Sequence, residues 1–413
     1  MKVERIIAGK IRPIGLMALI GLIALLGSCS QDQVLEPQTE KGTPVRLGGY
    51  VMPFEDNGQQ ASNARRPNVK STGNWGMTRT EPAWMPEGYS TLSSYQAIGA
   101  FFTTDTPSPT SDARRIWFNT NDDTWYILGE NPPVGNFRLY GYMPYNAAMV
   151  TVAPNDTYEK GATLTFTNMG SVMTRDICVV VGASHGSDED TPSDLAIGKF
   201  ACTMKSGEGV ANENHLFLLC EHLYSKLEFC FRVDNSAPYY YASLRTIKLR
   251  RLELTAYTFT QDNLSDLTIM KNKGNIIVNL AANNSGESPI AGTIYFTPDG
   301  TSGNMEPVVL FTGEETLPSA ADTYTKGTGY VPYFNLSNET KMLYRLRSIY
   351  DVYDRKGNLI RKNCEAVNTL RPQDRFGIKQ LNRGTSYKLQ LTVVPTFAYV
   401  LSDADLDNPT IED

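Results

Sequence analysis

Gly182, Ser184 and Gly186, with Ala183 and His185 between them, spell G-x-S-x-G directly after the apolar run 177–181. In that pattern a strained strand-to-helix turn presents a nucleophilic serine, and the chemistry needs a helix next and an acid and a base later. The residues that follow are Ser187-Asp188-Glu189-Asp190-Thr191-Pro192, a polar loop, so the motif is expected to be a Gly/Ser turn and no catalytic residue is assigned. His185, His215 and His222 are the only histidines; the last two flank an apolar strand and lack the i, i+4 spacing of a helical metal pair. Asp403, Asp405 and Asp407 alternate as in a calcium loop, but Asn408 stands where an EF-hand needs glycine. No metal and no cofactor is expected, and the chain is not expected to be an enzyme.

A different chemistry is written near the N-terminus. Lys2, Arg5, Lys10 and Arg12 precede an apolar run over 14–26, followed by Gly27, Ser28 and Cys29. A positive end, an apolar centre and a small-residue site make a secretory signal. The order Leu26-Gly27-Ser28-Cys29 is that of a bacterial lipobox: cleavage falls between Ser28 and Cys29, and the thiol of Cys29 takes the lipid. The run has thirteen residues, too few for a membrane span of about 20. Attached acyl chains contribute about 0.8 kcal/mol per buried methylene, enough to tether the chain when there is more than one of them. Ser30 follows Cys29, where many Gram-negative bacteria place an aspartate to hold a lipoprotein at the inner membrane, so the outer membrane is expected.

Composition sets further bounds. Without residues 1–28 the chain keeps 34 basic and 43 acidic residues, a net charge of −9, which argues against nucleic acid as a partner. Besides Cys29 the cysteines are Cys178, Cys202, Cys220, Cys230 and Cys364, an odd number with no C-x-x-C pair, so Cys178, Cys220 and Cys230 are expected as small core residues of apolar strands and at most one disulfide is left open.

The elements that would carry these residues are almost all strands. A polar tether over 29–44 leads into the alternating stretch 45–52, and a long loop over 55–86 follows, containing Arg65, Arg66 and Arg79. Short strands are expected over 97–103, 115–119, 124–128, 137–143, 163–166 and 177–181, forming a sandwich or open barrel. After a boundary at 206–214, strands are expected over 227–233, 245–257 with a bulge at Arg250-Arg251, 274–280, 292–296, 308–311, 330–334, 343–353 and 387–394. One short helix is expected around 378–382, stopped by Gly384. Tyr239, Tyr240 and Tyr241, with Trp75 and Trp84, are the aromatics available for binding.

With the lipobox at Cys29, the 45–52 strand and Met77-Thr78-Arg79-Thr80, the chain resembles the fimbrillin-type (type V) pilin lipoproteins of the Bacteroidales. The blocks 221–227 leading to 244–249, and 384–393 leading to 401–409, extend the resemblance over nearly the whole chain. It implies an all-β fold of two transthyretin-like antiparallel β-sandwich domains, here 45–210 and 211–413, after the signal peptide 1–28 and tether 29–44. It also implies assembly with other pilin subunits by strand exchange: strand 45–52 would be removed by a protease cutting after Arg79, or after Arg66, which Pro67 follows. A surface ligand on a host or another bacterium is a further implied partner. The chain departs from the pattern at its other end, where only nineteen residues follow Val394. That leaves a short donor arm at most and favours a tip, anchor or accessory subunit over a stalk subunit. The competing expectation is a monomeric outer-membrane lipoprotein that binds glycans through exposed aromatics.

Overall fold

The computed structural model describes residues 42–56, 98–103, 114–119, 124–129, 133–145, 150–154, 161–186, 195–205, 214–237, 240–270, 273–280, 295–298, 307–319 and 325–393. Among them the chain is all-β apart from two single-turn helices. Cys29, Ser28, Arg66, Arg79, Trp75, Trp84, Tyr239 and Asp403, Asp405 and Asp407 lie outside the described residues. No helix among the described residues is long and apolar enough to cross a membrane.

The first half builds one closed sheet. Its strands are β1 (Gly42–Val51), β3 (Ile98–Thr103), β4 (Arg114–Asn119), β5 (Thr124–Leu128), β6 (Gly135–Met143), β9 (Cys178–Gly186) and β11 (His215–His222), ordered β6-β3-β4-β5-β1-β11-β9. Pairing of Tyr142 with Val179 and of Met143 with Cys178 joins β9 back to β6 and closes the ring. A further strand, β10 (Ala201–Met204), extends the sheet from β6. Alternation decides what fills the barrel: Val45, Leu47 and Val51, Ile98 and Ala100, Ile116 and Phe118, Trp125 and Ile127, Val180 and Ala183, and Leu216 and Leu218 belong to one buried apolar cluster. The intervening residues point outward, and on β6, β9 and β11 these too are apolar: Tyr140, Tyr142, Val179, Val181, Phe217 and Leu219.

That outer face is covered, which explains why β11 is buried along its whole length. Part of the cover is a sheet ordered β16-β15-β8-β7, from β7 (Val150–Pro154), β8 (Ala162–Gly170), β15 (Lys273–Leu280) and β16 (Tyr295–Pro298). Phe166, Leu164, Ile276 and Val278 from it share the larger core with the outward residues of the barrel. β8 pairs directly with β15, so this sheet takes strands from both halves of the sequence.

Two more sheets complete the second half. One runs β18-β12-β21-β2, from β2 (Glu55–Asp56), β12 (Tyr224–Val233), β18 (Thr325–Pro332) and β21 (Thr385–Val393). The other has β13 (Thr246–Phe259) and β19 (Lys341–Tyr353) at its centre, flanked by β14 (Thr268–Ile269), β17 (Val308–Thr316) and β20 (Leu359–Leu370). The expected bulge is present: Leu249 faces Tyr350 and Arg251 faces Ile349, leaving Arg250 as the extra residue. Arg250 turns to Asp351 at 3.2 Å and also meets Glu314.

Several expectations are corrected. The sheets are mixed, because β1 runs parallel to β11 and β21 runs parallel to both β12 and β2. The helix is Pro372–Phe376, earlier than the expected 378–382: Pro372 opens it and Gly377, at φ 73°, ends it. A second helix, Tyr241–Leu244, begins at the last residue of the tyrosine run. β20 was not expected at all. It is an edge strand with both faces largely exposed, so its sequence carries no apolar alternation.

Close packing of the barrel against residues 195–200 is visible at Gly182. The Ala183 N–H donates to the Lys199 carbonyl at 2.7 Å and the Gly198 N–H donates to the Val181 carbonyl at 2.8 Å, and a Cβ on Gly182 would sit 2.3 Å from the carbonyl oxygen of Ala196. Gly182→Ala is therefore expected to lower stability by about 1–3 kcal/mol, read as a drop in the midpoint of urea unfolding.

Candidate functional site

The segment 42–56 is the candidate functional element, and its residues explain its path. Val45, Leu47 and Val51 face the barrel interior and are buried, while Gly48 faces outward beneath a ring. In the parallel register Gly48 lies opposite Phe217, and a Cβ there would come within 2.8 Å of the Phe217 ring. Glycine at this position lets Phe217 lie across β1.

The pairing of β1 is staggered. Gly42–Val45 form an antiparallel ladder with Leu128–Trp125 of β5, and Arg46–Val51 form a parallel ladder with His215–Cys220 of β11. β1 thus sits between two neighbours and splints them, each half of the strand being held through its own ladder. Beyond the barrel the segment continues onto the second half. The Met52 N–H donates to the Cys220 carbonyl at 3.0 Å, the Glu55 N–H donates to the Gly384 carbonyl at 2.9 Å, and β2 lies against the start of β21. Val45, Leu47, Val51 and Met52 are each under 8% exposed, and burying such side chains contributes about 1.5–3 kcal/mol apiece. A barrel without this segment would expose that apolar lining and leave the facing edges of β5 and β11 unpaired.

Between β1 and β2 the chain meets a buried polar cluster. The Phe54 ring stacks on His222 with centroids 3.6 Å apart and 14° between the planes, and Lys226 lies 5.7 Å from the Phe54 centroid. His222 Nδ1 is 2.5 Å from Asp176 Oδ2, and Cys178 Sγ is 3.4 Å from that oxygen and 3.5 Å from Nδ1. All three residues are buried. Alongside, Arg383 donates to Glu221 at 2.8 Å and to the His222 carbonyl at 2.9 Å, tying the end of β11 to the turn before β21.

The cluster is not a nucleophilic triad. In such a triad the nucleophile and the acid occupy opposite ring nitrogens, whereas here Cys178 and Asp176 share Nδ1. The serine motif fares no better as an elbow. Gly182–Gly186 is the last part of β9, paired with β11 rather than turned, and Ser184 is buried opposite Phe217. The expectation of a turn there is thus corrected. The strand persists because Ala183 and Ser184 can bury beside Leu218 and Phe217.

His215 and His222 are the first and last residues of β11, both buried. Sequence reasoning placed His222 at a strand end but missed its partners. Asp176 and Cys178 lie more than forty residues away, and only the β9–β11 register, which sets Cys178 opposite His222, brings them together. Tyr240 is half exposed and Tyr241 is buried in the core.

A scan against protein-family models finds no match, and no curated protein matches in sequence. Among solved structures, a Bacteroides uniformis protein provisionally described as a cell adhesion protein is 11% identical, covering 86% of this chain and 94% of its own at a TM-score of 0.34. A Bacteroides ovatus protein with the same description is 13% identical, covering 85% and 92%, with a TM-score of 0.34. A second Bacteroides ovatus protein, provisionally described as an adhesin, is 7% identical over 90% and 93% at a TM-score of 0.28. Likenesses of this degree do not fix a function.

Because β1 is held by ladders and buried side chains on both halves, a chain cut once between β2 and β3 is expected to keep its leading fragment. A site-specific protease site placed within 57–97 checks this: the two pieces should co-elute in gel filtration and separate only on heating or in denaturant. The buried Glu221–Arg383 pair should be equally measurable, with Arg383→Ala costing about 3–5 kcal/mol by leaving the carboxylate uncompensated.

Proposed function

We propose that the protein is a fimbrillin-like surface adhesin subunit that associates with other copies by giving up its leading strand and taking an extended segment of another copy in its place. In this reading the lipid on Cys29 anchors it to the outer membrane, and the barrel with its covering sheets and the second half serve as the two β-bodies. Residues 42–56 are then a removable plug: cleavage at Arg79 or Arg66 in the stretch that follows β2 frees it for replacement, and an entering strand, not the cut itself, displaces it. The protein works by association and not by catalysis.

The observation that carries the reading is the staggered seam. A strand laddered to β5 over one half and to β11 over the other can peel away stepwise, without breaking the pairings that join β3, β4, β5, β6, β9 and β11 to one another. What it would leave is a slot with backbone donors and acceptors on its two sides and an apolar floor of Ile127, Leu216 and Leu218. An extended strand is the ligand such a slot selects: main-chain hydrogen bonds supply affinity, and alternate side chains supply specificity. The Gly48 position adds a steric requirement, since an entering residue opposite Phe217 must be small unless the ring moves.

The test uses the cut chain. After mild denaturant has stripped the leading fragment and been removed, the remaining body should form ladders that resist SDS without heating, and excess synthetic peptide 42–56 should suppress them. A peptide carrying Gly48→Val should suppress them less. A body that unfolds once stripped, or stays a folded monomer that is retained on polysaccharide gels, overturns the reading in favour of a lone surface binder.

A further inference from the structure

We propose that Asp176, Cys178 and His222 form a binding site for a zinc-class transition-metal ion, seated at the end of the barrel beneath Phe54. The donors are of three kinds that such an ion takes together, a thiol, an imidazole nitrogen and a carboxylate oxygen. They come from two adjacent strands and the residues leading into one of them, and their ligand atoms all lie within 4.8 Å of one another.

Geometry carries the assignment. Zinc bonds of about 2.3 Å to sulfur and about 2.0–2.1 Å to nitrogen or oxygen, at tetrahedral angles, set the sulfur about 3.5 Å from the other donors and nitrogen about 3.3 Å from oxygen. The observed sulfur distances are 3.5 Å to Nδ1 and 3.4 Å to Oδ2. The nitrogen-to-oxygen edge is 2.5 Å, so an entering ion replaces the direct His222–Asp176 contact and opens that edge by less than an ångström. The stacked Phe54 ring lies on the face of the imidazole, outside the plane in which Nδ1 binds, and holds that plane toward Asp176 and Cys178. Three protein donors leave the fourth tetrahedral position for a water molecule.

Charge supports the same ion. Asp176, Cys178 and His222 are 0%, 0% and 3% exposed; a dication there is matched by one carboxylate and one thiolate, leaving the site neutral. Binding expels the thiol proton to solvent, and the ring proton resides on Nε2, which has no hydrogen-bond partner among the described residues. As a purely structural cluster the three groups contribute little that apolar side chains of the same volume would not. This proposal is independent of strand exchange, since it requires only the intact chain.

The experiment is metal content and metal spectroscopy on the untagged, full-length folded protein, produced in cells supplied with zinc or cobalt and purified without chelators. Elemental analysis should find one zinc per chain, falling to background in Cys178→Ser and in Asp176→Asn and unchanged in Cys202→Ser. The cobalt form should show the intense near-ultraviolet absorption of a cobalt–thiolate bond, absent from Cys178→Ser. Near-ultraviolet circular dichroism establishes that the variants are folded, and the wild-type cobalt spectrum decides the question even where a variant is not. Wild-type protein without bound metal and without the thiolate band, or a folded Cys178→Ser variant that keeps its zinc, overturns the proposal.

Discussion

A closed barrel has to pair every backbone edge it contains, and in this chain that requirement falls on β1. The strands β6, β3, β4 and β5 form one arc and β11 and β9 another, joined on one side by the short β6–β9 pairing. On the other side β1 alone, among the described strands, spans the gap, half on each arc. Its apolar residues also plug the interior that the arcs line. The first described strand is therefore the one that closes the ring, and the long stretch 57–97 separates it and β2 from the strands that follow. Covalent order and structural closure are decoupled, which is the physical precondition for trading one strand for another.

The segment does more than close the ring. Met52 belongs to the larger core and Glu55 reaches the residue before β21, so a single run of backbone ties the barrel to the sheet that contains β12. β11 and β12 follow one another with only Leu223 between them, and the segment tracks this junction from one side while Arg383 clamps it from another. Polar groups gather where regular pairing is interrupted: His222, Asp176, Cys178, Glu221 and Arg383 all sit at this transition. An aromatic lid, a buried ion pair and a cluster of metal-type donors at one junction make it the most chemically specialised part of the described structure.

Much of this was legible in the sequence, and the rest was not for definable reasons. Strands with one buried face announced themselves by alternation: Leu227, Phe229, Phe231 and Val233 in β12, and the phase break at Arg250 in β13, are read directly from residue order. β20 has polar residues on both faces because it is an edge, so nothing in its composition distinguishes it from loop. Gly182–Gly186 looked like a turn because glycine and serine favour turns, yet the small side chains serve close approach to Ala196 and burial beside Phe217. Both Gly377 and Gly384 carry the glycine stop signal, and it is Gly377 that ends the helix. Parallel pairing of β1 with β11 and of β21 with β12 is a long-range choice with no local signature, and for the same reason the Asp176–Cys178–His222 cluster was invisible.

Strand replacement requires a barrel that outlasts the loss of its closing strand. Amide hydrogen exchange on the chain cut within 57–97, measured before and after the leading fragment is stripped, tests it directly. New exchange should be confined to the amides of β5 and β11 that face β1, while β3, β4, β6 and β9 keep their protection. Loss of protection throughout the barrel on stripping would show that β1 is a permanent part of the fold and rule out strand replacement.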